Sequence, residues 1–413
     1  MNSASLLPPQ SDLDTTTDPF ISATIELERC ARLLDLEDWI VEKLRHCEQE
    51  SVVNFLLSGD NGQTHSVTGL WVRHCAAAGP VAAPFRITRD AYRNSVCADA
   101  MRMTWLCALY GLRHGGAAAA LILDPHTHSE KELRRAVRGY AESAATLAGS
   151  AAVLYPSGVH AVEMDWLDAG LRTSVGEHVQ VAGKSKLNSG EEPEEYAADG
   201  VAELIRCAAR SWKLRVAIQG FDPCSRRLVQ RLYKSGARIV AVSDESGGVR
   251  HELGLDPRQI VEYAEHHGVV LGYPEGEQIL NADLLETDCD VLVLAGGARQ
   301  IGSHNLAKIA ANVIVEVAPN AIVESVAQEL AGVGKIIVSD LLCAGPALLQ
   351  SLAEAEQDGA GRRRTALIRR AVRDTWKSVS EAARHWSVSI PQAAQTIAIQ
   401  RVAAILRAQG IPF

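Results

Sequence analysis

The spacing of apolar residues predicts alternating helices and strands in the first half of the chain. Residues 26–45 repeat apolar side chains at helical spacing, which favours one leading helix. Two strands follow, and the turn Gly59-Asp60-Asn61-Gly62 between them has the residues that a tight connection needs. Ser129 and Glu132 form a capping box at the start of a later helix. The predicted elements are a helix 26–45, strands 52–57 and 65–73, a helix 91–110, a strand 118–123 and a helix 129–147.

The second half of the chain has short, almost continuous apolar runs between helices. Runs of this kind are typical of parallel strands that are covered on both faces. Two long helices close the chain. The predicted strands are 214–219, 239–243, 291–294, 313–317 and 336–338, and the predicted helices are 191–212, 364–385 and 391–409.

The change of pattern is interpreted as a domain boundary, because 413 residues are too many for one ordinary core. We therefore predict an α/β fold with two domains, the second built on a mainly parallel sheet. The predicted organisation is a disordered leader 1–22, a first domain 23–188, a second domain 189–362, and C-terminal helices 363–413 that pack back on the first domain.

Charge, cysteine content and hydropathy exclude several classes of partner and location. The chain has 41 basic and 50 acidic residues, a balance that argues against nucleic acid as a partner. Its nine cysteines include no Cys-x-x-Cys pair, so we predict reduced thiols in the cytoplasm and no metal site. No apolar run approaches the roughly 18 residues of a membrane helix, and the N-terminus does not resemble a signal peptide.

Residues 214–244 have the lengths of a βαβ unit of a dinucleotide-binding domain. Asp244 falls where a ribose-binding carboxylate belongs. Only the first of the three glycine positions of such a loop is glycine, Gly220, because Asp222 and Ser225 occupy the other two. The candidate cofactor residues are Gly220, Phe221, Asp222, Pro223, Cys224, Ser225 and Asp244.

A carboxylate at Asp222 opposes a bound pyrophosphate. Two like charges at about 4 Å repel by on the order of 4 kcal/mol at an effective dielectric of about 20, or roughly a thousandfold in affinity. Asp222 followed by Pro223 is also a good N-cap, so we favour the hypothesis that the protein satisfies this helix end itself. The competing hypothesis is a shifted, weaker nucleotide site.

Several motifs resemble the glutamate/leucine/phenylalanine/valine dehydrogenase family, over about residues 25–413. The resemblance implies a substrate and oligomerisation domain followed by a Rossmann-like domain, NAD(P) as cofactor, an amino acid as substrate, and often a hexamer. The motifs that carry it are Gly79-Pro80, Met103-Thr104-Trp105, Gly115-Gly116-Ala117, Asp124-Pro125, residues 216–221, Ala241-Val242-Ser243-Asp244, Asp340-Leu341-Leu342 and Gln400-Arg401-Val402-Ala403.

The residues that do the family's chemistry are missing. The three lysines that hold the substrate or transfer the proton correspond to Ala82, Leu106 and Ala118, the last in place of the catalytic lysine. The aspartate that assists it would fall near Ser157 or Gly158. Arg86 is a further residue of the substrate cleft by family position.

Two motifs of the cofactor domain have changed as well. The family's Ala-Thr-Gly-Arg-Gly corresponds to Tyr196-Ala197-Ala198-Asp199-Gly200, and its Glu-Gly-Ala-Asn corresponds to Glu316-Val317-Ala318-Pro319-Asn320. Five residues near the expected cleft have side chains that can carry a proton, but we interpret each as a surface or packing residue. They are His74, His114, His160, Lys184 and Lys186.

Three hypotheses follow from the sequence. The leading one is a catalytically inactive homologue that acts as a regulatory or structural subunit, in a homo-oligomer or beside an active paralogue. The second is an active NAD(P)-dependent glutamate dehydrogenase with a relocated site, and the third is a small-molecule sensor that uses the altered cleft.

Overall fold

The computed structural model describes residues 18–144, 152–175, 179–184, 193–355 and 362–410. Residues up to 185 form one compact unit together with residues from 398 on, and residues 186–397 form a second unit. Most of the predicted leader and the end of the helix predicted to reach residue 147 lie outside the described residues. None of the described helices has the length and apolar character needed to cross a membrane.

Helices and strands alternate through both units. The helices are α1 Pro19–Leu34, α2 Asp38–Arg45, α3 Arg93–Leu109, α4 Glu130–Ala144, α5 Ala161–Val175, α6 Pro193–Ala209, α7 Pro223–Lys234, α8 Pro257–His267, α9 Asn281–Leu285, α10 Glu324–Gly332, α11 Asp340–Ala355, α12 Arg362–Trp386 and α13 Ile390–Gln409. The strands are β1 Gln49–Ser58, β2 Thr64–Cys75, β3 Val81–Ile87, β4 Gly115–Ile122, β5 Ala152–Pro156, β6 Val179–Val181, β7 Arg215–Gln219, β8 Arg238–Asp244, β9 Gly247–Arg250, β10 Glu277–Ile279, β11 Val291–Leu294, β12 Val313–Glu316 and β13 Ile336–Val338.

The first unit contains a mixed sheet in the order β1-β2-β4-β3-β5-β6. The β1, β2 and β4 strands pair antiparallel, whereas β4, β3, β5 and β6 pair parallel. Side chains alternate between the two faces of a strand, so β4 contributes to two cores. Ala117 and Ala119 face the core that contains Tyr140 of α4, and Ala118 faces the core that contains Val96 of α3.

The second unit contains a sheet in the order β10-β9-β8-β7-β11-β12-β13. Five neighbouring strands of this sheet are parallel, namely β8, β7, β11, β12 and β13. The β9 and β10 strands add an antiparallel edge. All five strands predicted in this half lie in the sheet. The predicted α/β fold with a Rossmann-like second domain is therefore confirmed.

The prediction of one leading helix over residues 26–45 is wrong. Asp35 adopts a left-handed backbone conformation with φ 48°, and α1 ends there. The backbone N–H of Leu36 donates to the carbonyl of Ala31 across this end at 3.1 Å. An aspartate tolerates this conformation better than most residues do, so the chain turns and α2 begins at Asp38.

The closing helices differ from the prediction that both pack on the first domain. The α12 helix packs against α6 and α11 of the second unit, and only residues from 398 on belong to the first unit. Ion pairs help to hold α12 there, since Arg369 lies 3.1 Å from Asp199 and Arg373 lies 3.1 Å from Glu203.

Candidate functional site

The three positions that the sequence motifs match to the family's lysines are buried in the first unit. Ala82 on β3 is 0% exposed, Leu106 on α3 is 1% exposed, and Ala118 on β4 is 2% exposed. Ala118 belongs to an apolar cluster with Val72 and Val96. None of these side chains can carry a proton or neutralise a carboxylate.

The described lysines of the first unit lie on other elements. Lys43 on α2 pairs with Glu48 at 2.9 Å, and Lys131 is exposed at the start of α4. Lys184, which follows β6, pairs with Asp168 at 3.2 Å. None of the three belongs to β3, α3 or β4. Lys186, the remaining lysine singled out from the sequence, lies outside the described residues.

Arginines supply positive charge beside α3. The Arg86 guanidinium lies 2.8 Å from the Asp99 carboxylate and donates to the Ser95 hydroxyl at 3.0 Å. Burial raises the pKa of Asp99, while Arg86 and Arg102 oppose this shift. A guanidinium can hold a carboxylate, but it stays protonated in proteins and cannot serve as a base at neutral pH.

The segment where the family's aspartate would fall forms an exposed turn between β5 and α5. Ser157 donates its backbone N–H to the Phe85 carbonyl at 3.0 Å, and Gly158 has a positive φ of 69°. His160, at the start of α5, is exposed, and its backbone N–H donates to Glu163 at 2.9 Å. The turn carries no carboxylate at either candidate position.

His74 is fully buried and uses both ring nitrogens. Its Nε2 donates to the Leu44 carbonyl at 2.9 Å, and its Nδ1 lies 2.8 Å from the Thr104 hydroxyl. Burial lowers the pKa of His74 to about 4. The ring is therefore neutral at physiological pH and packs at 5.4 Å against Trp105, which agrees with its interpretation as a packing residue.

We expect His74 to make the protein less stable in acid. The unfolded chain binds a proton at this histidine below about pH 6.5, but the folded protein does so only near pH 4. The contribution to the free energy of unfolding is thus complete above pH 6.5 and falls by about 3 kcal/mol as the pH drops to 4. Urea unfolding between pH 7 and pH 4.5 measures it.

The matched variants are His74→Asn and His46→Gln, because His46 is exposed. The pH dependence should flatten in His74→Asn and stay unchanged in His46→Gln. If the free energy of unfolding of His74→Asn and of the wild type falls equally with decreasing pH, His74 is not the source of the acid sensitivity.

His114 lies on the wall of a cavity of about 310 Å³ in the first unit. The end of α3, the loop 111–115 and α13 line this partly open cavity, and most of its lining is apolar. Arg401 of α13 reaches across it and donates to the carbonyls of Ala108 and Leu109 at 2.9 and 2.6 Å. Burial lowers the pKa of Arg401.

The loop after β7 has the geometry of a dinucleotide loop at its first residue. Gly220 has a φ of 90°, and a Cβ at this position would lie 2.5 Å from the Ala295 carbonyl carbon, so the backbone requires glycine. Asp222 is the N-cap of α7, because its carboxylate accepts from the Ser225 backbone N–H at 2.7 Å. The predicted role of Asp222 as the N-cap of α7 is confirmed.

Other residues of this loop are engaged with one another. Arg226 donates its Nε–H to the Phe221 carbonyl at 2.9 Å, and its guanidinium lies 5.7 Å from the centre of the Phe221 ring. Pro223 is the first residue of α7, and Cys224 follows it half-buried. Arg226 directly follows Ser225 in the sequence, but it is not among the candidate cofactor residues.

Asp244, the expected ribose carboxylate, lies at the end of β8. Its Oδ1 accepts from the Ser246 backbone N–H at 2.8 Å, and its Oδ2 accepts from the Val270 backbone N–H at 2.6 Å. Both carboxylate oxygens of Asp244 therefore accept hydrogen bonds from the chain's own backbone.

The altered motif on α6 is part of an ion-pair network that sequence reasoning missed. Asp199 is 4% exposed and lies 3.0 Å from Arg231 of α7 and 3.1 Å from Arg369 of α12. Burial acts to raise the pKa of Glu203, one turn further along α6, but Arg206 and Arg373 outweigh burial and lower it. These residues tie three helices of the second unit together.

The changed Glu316–Asn320 motif also has a structural role. Glu316 ends β12, and its carboxylate accepts from the Ile322 backbone N–H at 2.9 Å. Asn320 adopts a left-handed conformation with φ 55°.

Comparison with known proteins identifies the family. The model of the glutamate/leucine/phenylalanine/valine dehydrogenases matches residues 194–410, which is more than half of the chain. The chain belongs to this family. The model of the dimerisation domain of Glu/Leu/Phe/Val dehydrogenases matches residues 47–170.

Curated relatives in the family are glutamate dehydrogenases. The enzyme of Thermotoga maritima is 30% identical, with 94% of this chain and 97% of the relative covered. The NADP-specific enzyme of Saccharolobus shibatae is 28% identical over 84% of each chain, and the catabolic NAD-specific enzyme of Bacillus subtilis is 27% identical over 83% of each.

Solved structures of the family share the fold. The hetero-hexameric glutamate dehydrogenase of Thermus thermophilus in its leucine-bound form has a TM-score of 0.89 at 24% identity, covering 98% of this chain and 99% of that one. The enzyme of Peptoniphilus asaccharolyticus has a TM-score of 0.82 at 20% identity, covering 95% and 99%.

Proposed function

We propose that the chain is a catalytically inactive member of the glutamate dehydrogenase family that acts as a regulatory or structural subunit in amino-acid and nitrogen metabolism. The observation that carries this proposal is the burial of Ala82, Leu106 and Ala118 at the positions of the family's lysines. Loss of a general acid or base alone typically slows a reaction by about a hundred- to ten-thousandfold. The turn at Ser157 and Gly158 supplies no aspartate to replace it.

Weak binding of NAD(P) is part of the proposal. The Asp222 carboxylate lies at the helix end where the pyrophosphate of a dinucleotide would sit, and its negative charge opposes another anion there. Asp244 already accepts two backbone N–H groups, so its oxygens are less free to bind a ribose. Arg226 offsets part of the negative charge at the loop but donates to the loop's own carbonyl.

We propose an oligomer, formed either by copies of this chain or with an active paralogue. The match to a dimerisation domain over residues 47–170 supports this, and one solved relative is a hetero-hexamer. The proposed location is the cytoplasm, where the nine cysteines, all free in the structure, stay reduced.

The second candidate function is a small-molecule sensor. The apolar cavity of about 310 Å³ beside Arg401 favours it, since an aliphatic molecule with a polar end fits such a lining. The leucine-bound state of the Thermus thermophilus relative points to the same class of ligand. Thermal-shift measurements against amino acids and nucleotides test this candidate, and a flat response across both panels would count against it.

The main test is an assay of the full-length protein with glutamate, and with 2-oxoglutarate plus ammonium, using both nicotinamide cofactors. The Thermotoga maritima enzyme serves as the active control. Turnover is expected to be at least about 10⁴-fold lower than in the control. Clear turnover would eliminate the proposal in favour of an active glutamate dehydrogenase with a relocated site. Copurification from the native source then shows whether the subunit is bound to an active paralogue.

A further inference from the structure

Two cysteines that are distant in sequence meet beside a glutamate in the first unit. Cys47 lies in the connection from α2 to β1, Glu50 lies on β1, and Cys97 lies in the second turn of α3. The two sulfur atoms and one carboxylate oxygen are all within 4.8 Å of one another. Within the described ranges, this is the one group of cysteine, histidine and carboxylate side chains placed to share a metal ion.

We propose that Cys47, Glu50 and Cys97 bind a divalent cation that prefers sulfur ligands, with zinc as the best fit. Zinc bonds to sulfur at about 2.3 Å and to carboxylate oxygen at about 2.0–2.2 Å in a tetrahedron. Ligand atoms in such a tetrahedron are about 3.5 Å apart, so shifts of roughly 1 Å or less complete the geometry. Two thiolates favour zinc over magnesium or calcium, which prefer oxygen.

The burial of the three ligands suits an ion that enters from solvent. Cys97 is 0% exposed, Cys47 is half-buried, and Glu50 is exposed. The ion would thus be held from the protein side by sulfur and from the solvent side by the carboxylate. One tetrahedral position remains for water, because three protein ligands are present.

The surrounding side chains hold the ligands in place. Cys97 belongs to a buried cluster with Val72, Val96 and Ala100, and Cys47 packs against the same cluster. A rigid apolar surrounding of this kind limits the movement of the sulfur atoms. It also excludes water from the buried side of the site, which strengthens electrostatic interactions there.

Arg93 balances the charge of the site. Its Nη2 donates to one oxygen of the Glu50 carboxylate at 2.7 Å and its Nε lies 2.5 Å from the other, so a metal ion would share this carboxylate with the arginine. Two thiolates and a carboxylate carry one more negative charge than a divalent cation neutralises, and the arginine cancels the excess. A neutral assembly costs less to bury than a charged one.

The Glu50 carboxylate beside the two sulfur atoms suits a bound cation better than a disulfide, because a disulfide uses only the sulfurs. A metal ion removes the proton from a thiol that it binds, so the same pair suits metal binding. A cation here would tie the α2–β1 connection to α3, the helix that carries Leu106.

The test is a titration of the full-length, chelator-treated protein with cobalt(II), which absorbs in the near ultraviolet when thiolates bind it. The absorption is expected to saturate at one ion per chain and to disappear when zinc displaces cobalt. Affinity should fall by at least about a hundredfold in Cys47→Ser and Cys97→Ser, and by at least about tenfold in Glu50→Gln, since even indirect partners of a metal contribute ten- to a hundredfold.

Two controls match these variants. Cys207→Ser removes a half-buried thiol of the second unit, and Glu48→Gln removes the neighbouring acid. Both should leave the titration unchanged. The exposed Glu50→Gln variant decides the question if either cysteine variant fails to fold.

Three results would overturn the proposal. They are no near-ultraviolet absorption in the wild type, an unchanged affinity in Glu50→Gln, and a mass two hydrogens lower that shows a Cys47–Cys97 disulfide in place of bound metal. None of these measurements depends on catalytic activity, so the metal site and the proposed inactivity stand or fall separately.

Discussion

Replacing Asp222 with asparagine is expected to strengthen the binding of NADH and NADPH by up to about a thousandfold. The repulsion between two like charges at about 4 Å is about 1 kcal/mol in water and about 4 kcal/mol at an effective dielectric of about 20. A bound dinucleotide excludes water from the loop and moves the value toward the upper figure. Asparagine caps a helix as well as aspartate does, so α7 should keep its start.

Calorimetric titration at low and high salt measures this effect. Salt screens the repulsion, so the difference between wild type and variant should shrink as ionic strength rises. The matched control is Asp256→Asn, because Asp256 also precedes a proline and caps its helix, α8, through a 2.8 Å bond from the Arg258 backbone N–H. Equal affinities in Asp222→Asn and the wild type would show that the carboxylate is not the barrier to binding.

Introducing a lysine at Ala118 is expected to lower the free energy of unfolding by at least about 3 kcal/mol. The position is 2% exposed and is packed against residues such as Val72 and Val96. Extra methylene groups in a filled core cost about 1–3 kcal/mol. A buried ammonium without a partner adds a desolvation penalty of several kcal/mol, or loses its proton.

Urea unfolding of Ala118→Lys and Ala118→Met separates the two contributions, since methionine has a similar length without the charge. Ala118→Met should lose only about 1–3 kcal/mol. If Ala118→Lys proves as stable as the wild type, the position has room and solvent for the family's catalytic lysine. Such a result would remove the main support for the proposed inactivity.

The fold was predictable because its periodic elements are strong and local. The parallel strands of the second unit are continuous apolar runs, and all of them were found from this pattern. The sequence did not indicate β3, which contains Pro84 and two alanines, residues that strands disfavour. It also missed β9 and β10, which have four and three residues and therefore show too little alternation.

The candidate site was predictable only as far as motif spacing reaches. Spacing identified Asp222 as a cap, which the structure confirms, whereas the match of Ala82, Leu106 and Ala118 to the family's lysines stays a prediction. It could not show that Arg86 would pair with Asp99, because such contacts depend on tertiary packing. The approach of Cys47 to Cys97 is of the same kind, since the two lie fifty residues apart.

The ion pairs of Asp199 limit which substitutions this position tolerates. The sequence motif matches Asp199 to an arginine of the family, and Arg231 and Arg369 both lie against the Asp199 carboxylate. An arginine at position 199 alone would bring three guanidinium groups together, one of them at a buried position. The carboxylate and its two partners therefore depend on one another, and Asp199→Arg alone is expected to destabilise the second unit more than a variant in which Arg231 and Arg369 are replaced as well.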